Sequence, residues 1–389
     1  MKILVLAGWY PQFGRSGNGI FIVRHAEALV EASQLEGKEV TVDLMAVQPL
    51  SWMQGDGQMP LTSPESPIRH WVQTYKDGGG VLLAMWRQFQ AWRSLWAAYK
   101  AHHGSVPDLI VAQVSWKSAV VAACTGIPFA VVEHWSGWLQ DKLPYTWWQR
   151  ALVYRALRRA SKVIAVSPWL AQAMCVKVPG LRVDVLPNVV EQHFWSSEPR
   201  VLLENSQDFL HISDLAEVKN PGLLRQAWVL SGLAEKGFRL RIAGEYPSHR
   251  QDAFKGIQGI DWLGVLDSSA VAKELRQARA LLLPSFRETF SILTVEALLC
   301  NCPVWLGYTP LLEQYRQHPL VKGLNIYEPE SWAEALQQNT AATTSNISVS
   351  TKDAHDLMDS SNAINVSLEL FQAKHVGLEF LRIMERIKR

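Results

Sequence analysis

Residues 284–297 read Pro284-Ser285-Phe286-Arg287-Glu288-Thr289-Phe290-Ser291-Ile292-Leu293-Thr294-Val295-Glu296-Ala297, directly after an apolar run that begins at Ala280. A short continuous apolar run followed by an amphipathic stretch predicts a buried strand handing over to a helix, the unit from which parallel sheets are built. The stretch also carries two carboxylates eight positions apart. With a helix beginning near Thr289 or Ser291, a rise of about 1.5 Å per residue separates them by roughly 12 Å along its axis. The carboxylates of a glycoside hydrolase sit about 5 to 9.5 Å apart across one bond. This pair suits the two ends of an extended ligand instead, and a nucleotide sugar is such a ligand.

Short β-branched runs alternate with longer amphipathic stretches in both halves of the chain, so the fold class is α/β, two doubly wound domains. Strands are predicted over 3–8, 40–47, 68–75, 108–113, 128–134, 162–167 and 183–187, then over 209–213, 239–244, 259–264, 280–285, 303–307 and 324–328. Helical patterns run between them, including 25–33, 81–102 and 146–160. A polar shift near 187–200 marks a linker, placing a first domain at 1–190 and a second at 200–340 with a ligand cleft expected between them. Residues 341–365 read as a polar surface connection. The apolar spacing of 366–389 predicts a helix packed on a domain surface.

The chain has 389 residues, long enough for two cores, and its 38 basic and 36 acidic side chains leave a net charge of +2. Nothing in this balance points to nucleic acid. Cys124, Cys175, Cys300 and Cys302 lie in or beside apolar segments without zinc-site spacing and read as reduced core residues. The apolar run after Lys2 stops at Gly8, too early for a signal peptide, and no run reaches the roughly 20 residues of a membrane span. A cytoplasmic protein is therefore expected.

Ligands of open parallel sheets bind beyond the carboxyl ends of strands. Four such places carry informative residues. The first is the loop Gly8-Trp9-Tyr10-Pro11 through Gly14, Gly17 and Gly19, whose glycines would let backbone amides approach a phosphate, although a plain flexible loop reads the same way. The second is Glu133-His134, where the imidazole could donate to a sugar hydroxyl or a departing phosphate, or be satisfied by neighbouring backbone. The third is Ser213 to Gly222, where Lys219 at a helix start would suit a diphosphate, or be a solvated charge. The fourth surrounds Glu288 and Glu296, with the amides of Phe290 and Ser291 in reach of phosphate oxygens; Glu296 could equally serve a salt bridge within its domain.

Together these elements resemble the retaining glycosyltransferases of family four, glycosyl transferases group 1, with two facing Rossmann-like domains of the GT-B type. The Glu-x7-Glu pair Glu288 and Glu296 is the strongest match. Val166-Ser167, Leu186-Pro187-Asn188-Val189-Val190 and Ile242-Ala243-Gly244-Glu245 support it, as does a C-terminal helix that in this fold crosses back to the first domain. The resemblance implies that Glu288 contacts hydroxyls of the donor sugar and Glu296 the ribose. It implies that Lys219 neutralises the diphosphate, that His134 faces the sugar, and that Gly17 and Gly19 lie against phosphate or acceptor. Phe290, Ser291 and Gly244 fall on the nucleotide side. The partners implied are a nucleotide-diphosphate sugar and a glycan or lipid-linked saccharide, with no cofactor and no metal.

One departure matters: Asp214 stands where the family has an arginine, so another cation must serve the diphosphate, with Arg287 and Arg24 as candidates. Ser291 stands where glycine is common. Two stretches, Met85 to Lys100 and Trp147 to Arg159, interleave tryptophan with arginine and lysine, which suits an anionic membrane surface unless the aromatic faces pack on the sheet. Peripheral attachment at the inner face of the cell membrane is the expectation they raise. Two other functions compete: a nucleotide-sugar epimerase of the same architecture, and a non-catalytic sugar-nucleotide binding subunit suggested by Asp214.

Overall fold

The computed structural model describes residues 1–11, 19–52, 67–195, 208–341 and 368–388. They form two compact units, Met1–Val189 with Glu369–Arg389, and Val190–Leu368. The first holds seven parallel strands: β1 (Lys2–Ala7), β2 (Thr41–Pro49), β3 (Arg69–Tyr75), β4 (Leu109–Gln113), β5 (Phe129–Glu133), β6 (Lys162–Ala165) and β7 (Asp184–Val185), in the order β3-β2-β1-β4-β5-β6-β7. The second holds six: β8 (Asp208–Ile212), β9 (Arg239–Ala243), β10 (Ile260–Gly264), β11 (Leu281–Leu283), β12 (Val304–Gly307) and β13 (Val321–Leu324), in the order β10-β9-β8-β11-β12-β13.

Strands covered on both faces cannot alternate in polarity, and β1 shows why its sequence is apolar throughout: Ile3 to Ala7 are all buried. β4 and β11 are buried along their whole length for the same reason. The second unit's core is built on aromatic bulk, with Phe209, Trp228, Trp305 and Trp332 packed among leucines. Part of the chain's tryptophan content is thus core, since Trp138, Trp228 and Trp332 are fully buried.

The strand order reverses twice, once between β1 and β4 and once between β8 and β11. At such a reversal the following loops diverge and leave a crevice at the carboxyl ends. Three details differ from the sequence reading. β13 ends at Leu324 and not at 328, because Asn325 turns the chain: its carbonyl accepts from Trp332 Nε1 at 2.8 Å and its side-chain Oδ1 from the Tyr327 amide at 3.0 Å. The helix after β11 is Ile292–Leu299, so Glu288 lies in the preceding loop and the axial spacing worked from a helix containing both acids does not apply. Within 187–200, residues from Val190 onward group with the second unit, where Phe194 is fully buried and the His193 carbonyl accepts from Arg276 at 3.2 Å. Residues of the polar connection at 342–365 lie outside the described set.

The helix Ala373–Lys388 belongs to the first unit, where it packs on the helix Ile20–Leu35. Gly377 permits the approach, since a Cβ there would lie 2.1 Å from the Ala28 carbonyl oxygen. Lys38 closes the end of the contact with Glu385 at 2.7 Å.

Candidate active site

In the second unit the loops after β8 and β11 meet at the strand reversal. The amide of Phe286 donates to the Val218 carbonyl at 2.9 Å, which ties the stretch after β11 to the helical turn Glu217–Lys219. That bond brings together two residues 69 positions apart, and Lys219 Nζ donates to Glu288 Oε1 at 2.8 Å. Lys219 is 29% and Glu288 12% exposed, so the pair is half withdrawn from water. Burial alone would lower the Lys219 pKa, but Glu288, with a further contribution from Asp214, more than offsets it and holds the ammonium above its ordinary value.

The turn that delivers Lys219 is braced from below by His211, a residue the sequence reading did not single out. Its Nδ1 donates to the Leu282 carbonyl at 2.8 Å, which fixes the tautomer and leaves Nε2 to accept from Ser213 Oγ at 2.7 Å. Ser213 Oγ in turn accepts from the Leu215 amide at 3.0 Å. Burial pushes the His211 pKa down to about 4, so the brace is neutral. Asn220 then starts the helix Pro221–Ser231, capping the Leu223 amide at 3.3 Å and donating to the Ile326 carbonyl at 3.0 Å.

Asp214 accepts from the Ala216 amide at 3.0 Å and pairs with Arg250, whose guanidinium lies 3.1 Å from the carboxylate and 2.6 Å from the Asp214 carbonyl oxygen. Arg250 is therefore the cation beside Asp214, a residue absent from the candidates Arg287 and Arg24. Arg287 adjoins Glu288 in the second unit, with its Nε buried and lacking a hydrogen-bond partner. Arg24 is a buried residue of the helix Ile20–Leu35 in the first unit.

Gly244 has φ 132°, and a Cβ there would stand 2.1 Å from the Ser213 carbonyl oxygen. Its glycine character follows from the close approach of the chains leaving β8 and β9. Ser291 precedes the helix Ile292–Leu299 in the left-handed region at φ 55°, with its hydroxyl 2.8 Å from that of Thr294. The family glycine at this position has a backbone reason. Phe290 is buried, and Glu296 is a buried residue on that helix.

In the first unit the corresponding loops follow β1, β4 and β5. Gly8 donates to the Gln113 carbonyl at 3.1 Å, and a Cβ there would come within 2.9 Å of that oxygen. Gly19, at φ 80°, begins the helix Ile20–Leu35 where a Cβ would meet the Trp9 carbonyl at 2.7 Å. Gly14 and Gly17 lie outside the described residues. His134 is buried at the end of β5, its Nε2 donating to Gln113 Oε1 at 2.7 Å and its ring 4.4 Å from Phe21. Burial, then the neighbouring His25, hold its pKa well below the ordinary value, with Asn188 acting the other way. The imidazole is neutral, and its Nε2 proton is committed to Gln113.

Among the basic-aromatic stretches, Trp92, Leu95 and Tyr99 turn inward on the helix Val81–His103, while Met85, Trp86 and Phe89 stay exposed. On the helix Trp147–Arg159, Trp147 is 77% exposed and Arg150, Arg155, Arg158 and Arg159 face solvent. Among the described residues no helix is long and apolar enough to cross a membrane, and no three His, Cys, Asp or Glu side chains cluster as metal ligands would.

Comparison with known proteins now bears on this geometry. Residues 22–194 match the model for Glycosyltransferase Family 4, and residues 206–340 match Glycosyl transferases group 1. No curated protein sequence matches the chain. The fold is similar to sucrose-phosphate synthase from Thermosynechococcus elongatus, with a TM-score of 0.74 at 14% identity over 100% of this chain and 99% of that one. It is also similar to the lipopolysaccharide outer core galactosyltransferase WaaB, with a TM-score of 0.64 at 15% identity over 99% and 100%. A third similar structure is Anabaena HepE in complex with UDP-glucose, with a TM-score of 0.68 at 17% identity over 99% and 100%. Two parallel sheets in Rossmann-like order, each with glycine-dependent loops at its strand reversal, and family matches to both halves lead to one assignment: the chain is a glycosyltransferase of family four with the GT-B fold.

Proposed function

We propose that the enzyme transfers a hexose from a nucleotide-diphosphate sugar to a hydroxyl of a glycan or lipid-linked saccharide, with retention, in the building of a cell-surface polysaccharide or lipopolysaccharide. The observation that carries the reading is the Lys219–Glu288 contact at the β8/β11 strand reversal. A lysine and a carboxylate held side by side can serve a diphosphate and the hydroxyls of the attached sugar at once. Glu296 is assigned to the ribose. The amides of Phe290 and Ser291 are assigned to phosphate oxygens, with Gly244 keeping the nucleotide side open and Arg287 and Arg250 as further cations. In the first unit, His134 is assigned to the donor sugar, and Gly17 and Gly19 to phosphate or acceptor.

In the proposed reaction the bond from the anomeric carbon to the diphosphate oxygen breaks and the acceptor oxygen bonds to the same face. The acceptor proton passes to the departing phosphate. Lys219 stabilises the negative charge that grows on the leaving group, so neither a protein nucleophile nor a metal is required.

Asp214, which favoured a non-catalytic binding subunit, has its charge paired with Arg250 and so lends that reading little support. HepE is described with UDP-glucose, which makes UDP-sugars the first donors to try. A location at the inner face of the cell membrane is supported by exposed Met85, Trp86 and Phe89 with Arg93 set over the Phe89 ring at 5.9 Å. Flotation with anionic liposomes at low salt tests it, and no binding rejects it. For the reaction, a thermal-shift panel of UDP, GDP, ADP and dTDP sugars identifies the donor. Acceptor-dependent release of nucleotide that falls by orders of magnitude in Glu288→Ala and Lys219→Ala supports the site; near-normal activity in both rejects it.

A further inference from the structure

Glu133, the last residue of β5, is a fully buried acid that the transfer reaction does not use. Four N–H groups surround it. Its Oε1 accepts from the amides of His134 and Trp135, and its Oε2 from the amide of Ser115 and from Trp138 Nε1, each at 2.9 Å. An ionised carboxyl offers about four lone-pair positions, and here all are taken; a protonated oxygen would set donor against donor. Burial raises the pKa of the group, while the bonds from Ser115, Trp135 and Trp138 act against that rise.

The three amides lie where the sheet stops providing partners. The register of β4 with β5 ends at Gln113 and Val132, and that of β5 with β6 ends at Glu133 and Ala165. Water could satisfy such amides at a strand end. Burying a carboxylate to do so costs several kcal/mol of desolvation, of order 2 or more, which is offset only by good geometry at every bond. The stretch it grips after β4 also holds Val114 at φ 74° and Lys117 at φ 69°, two strained positions for residues with side chains. The tie therefore enforces a particular backbone course on both strand ends.

Peptide geometry says what that course aims. Among the described residues every peptide is trans, so each C=O points opposite to the N–H of the same peptide unit. The Trp135 N–H points at Glu133; the His134 carbonyl, in the same unit, points away from that buried carboxylate. No group among the described residues donates to this carbonyl. The imidazole of His134 is otherwise engaged, with Nε2 on Gln113 and Nδ1 a buried atom. What His134 can offer a ligand is its main chain.

We propose that Glu133 is a positioning residue that aims the His134 main-chain carbonyl to accept a hydrogen bond from one hydroxyl of the donor sugar. The inference rests on the assignment of His134 to the donor sugar and names the atom that serves it. The carboxyl end of β5 is where an open parallel sheet binds its ligands.

Calorimetric titration of the full chain with UDP-glucose, UDP-galactose, UDP-N-acetylglucosamine, GDP-mannose, ADP-glucose and dTDP-glucose selects the donor, with the matching nucleoside diphosphate as a separate arm. The selected donor is then compared with analogues lacking one sugar hydroxyl each. One analogue should bind the wild type about 3- to 10-fold more weakly, the scale of one neutral hydrogen bond. In Glu133→Gln an NH2 faces two of the N–H donors, and that discrimination should vanish while affinity for the nucleoside diphosphate is unchanged. His134→Ala, which keeps the carbonyl and the amides, should retain it. A purely structural role would weaken the donor and all its analogues alike. Glu133→Asp, one methylene too short to hold both strand ends, carries the same comparison where the glutamine variant does not fold. Failure of every nucleotide sugar to bind the wild type would reject the transfer reading itself. With donor binding intact, the proposal is overturned by equal affinity for all analogues, by discrimination that persists in the Glu133 variants, by its loss in His134→Ala, or by failure of both Glu133 variants to fold.

Discussion

If the Lys219 ammonium serves a diphosphate, Glu288 competes with that ligand in the empty site, and Glu288→Gln should make the free nucleotide bind more tightly while turnover is lost. The pair is in direct contact at 2.8 Å. Unit charges about 4 Å apart attract by about 4 kcal/mol at an effective dielectric of 20. Lys219 is 29% exposed, and solvent screening and side-chain ordering reduce the net coupling to about 1 to 2 kcal/mol. Glutamine keeps the shape and a neutral hydrogen bond but releases most of that coupling, so affinity for the preferred nucleoside diphosphate should rise about 5- to 30-fold. Titration calorimetry at fixed salt on wild type, Glu288→Gln, Lys219→Met and the double variant measures it. Lys219→Met should lower affinity, and the gain from Glu288→Gln should vanish in its presence. An unchanged dissociation constant in Glu288→Gln, or a gain that survives Lys219→Met, refutes the assignment of Lys219 to the diphosphate.

Gly244→Ala places a methyl group 2.1 Å from the Ser213 carbonyl oxygen at φ 132°, which at about 3 kcal/mol of overpacking and backbone strain should lower Tm by several degrees and weaken nucleotide binding. A melting temperature within 1 °C of wild type would contradict the close approach. Ser291→Gly relieves a left-handed conformation at φ 55° and loses the hydroxyl contact with Thr294; a net gain of about 0.5 kcal/mol is expected, and thermal melting should show a small rise, not a fall. His25 and His211 are buried and neutral with pKa values of about 4. Their folded pKa lies below the unfolded value, so the stability they contribute is present above about pH 6.5 and lost as pH falls toward 4. Each should cost about 1 kcal/mol by pH 5.5, seen as a lower urea midpoint than at pH 7; a midpoint unchanged between pH 7 and pH 5 would count against it.

The strands were legible because strands buried on both faces show it locally: β1, β4 and β11 are unbroken apolar runs. β13 was set too late because Ile326 and Tyr327 extend the apolar run past Leu324, and only the bonds to Asn325 reveal the turn. The helix after β11 starts at Ile292 with Ser291 as its cap, next to one of its two expected starts, but an axial rise could not give the separation of the two acids because Glu288 lies in the loop tied down by the Phe286–Val218 bond. Glu288 and Lys219 could be picked out by motif, but their contact spans 69 positions and follows from strand order. His211 and Arg250 carried no readable signal. A histidine inside an apolar strand and an arginine in a short polar helix look ordinary until the chain leaving β8 comes against them.

The aspartate that breaks the family pattern gains a physical account from Arg250. An unpaired acid at position 214 would repel a diphosphate held by Lys219 and would also compete with Glu288 for that lysine. Pairing with Arg250 at 3.1 Å offsets both effects, and the carboxylate then shapes the turn through the Ala216 amide. The guanidinium reaches this strand end from the helical turn Ser248–Gln251 after β9, while the family's arginine reaches it from the β8 loop itself. The acid that replaces the family's arginine is thus neutralised from a different strand connection. Because Arg250 also grips the Asp214 carbonyl at 2.6 Å, its charge is anchored to the same backbone that positions Lys219. The His211–Ser213–Leu215 relay holds that backbone from the other side. Lys219 is therefore positioned by a neutral brace beneath it and an ion pair beside it, and Arg250 cancels the charge of Asp214 without adding a net positive charge to the loop.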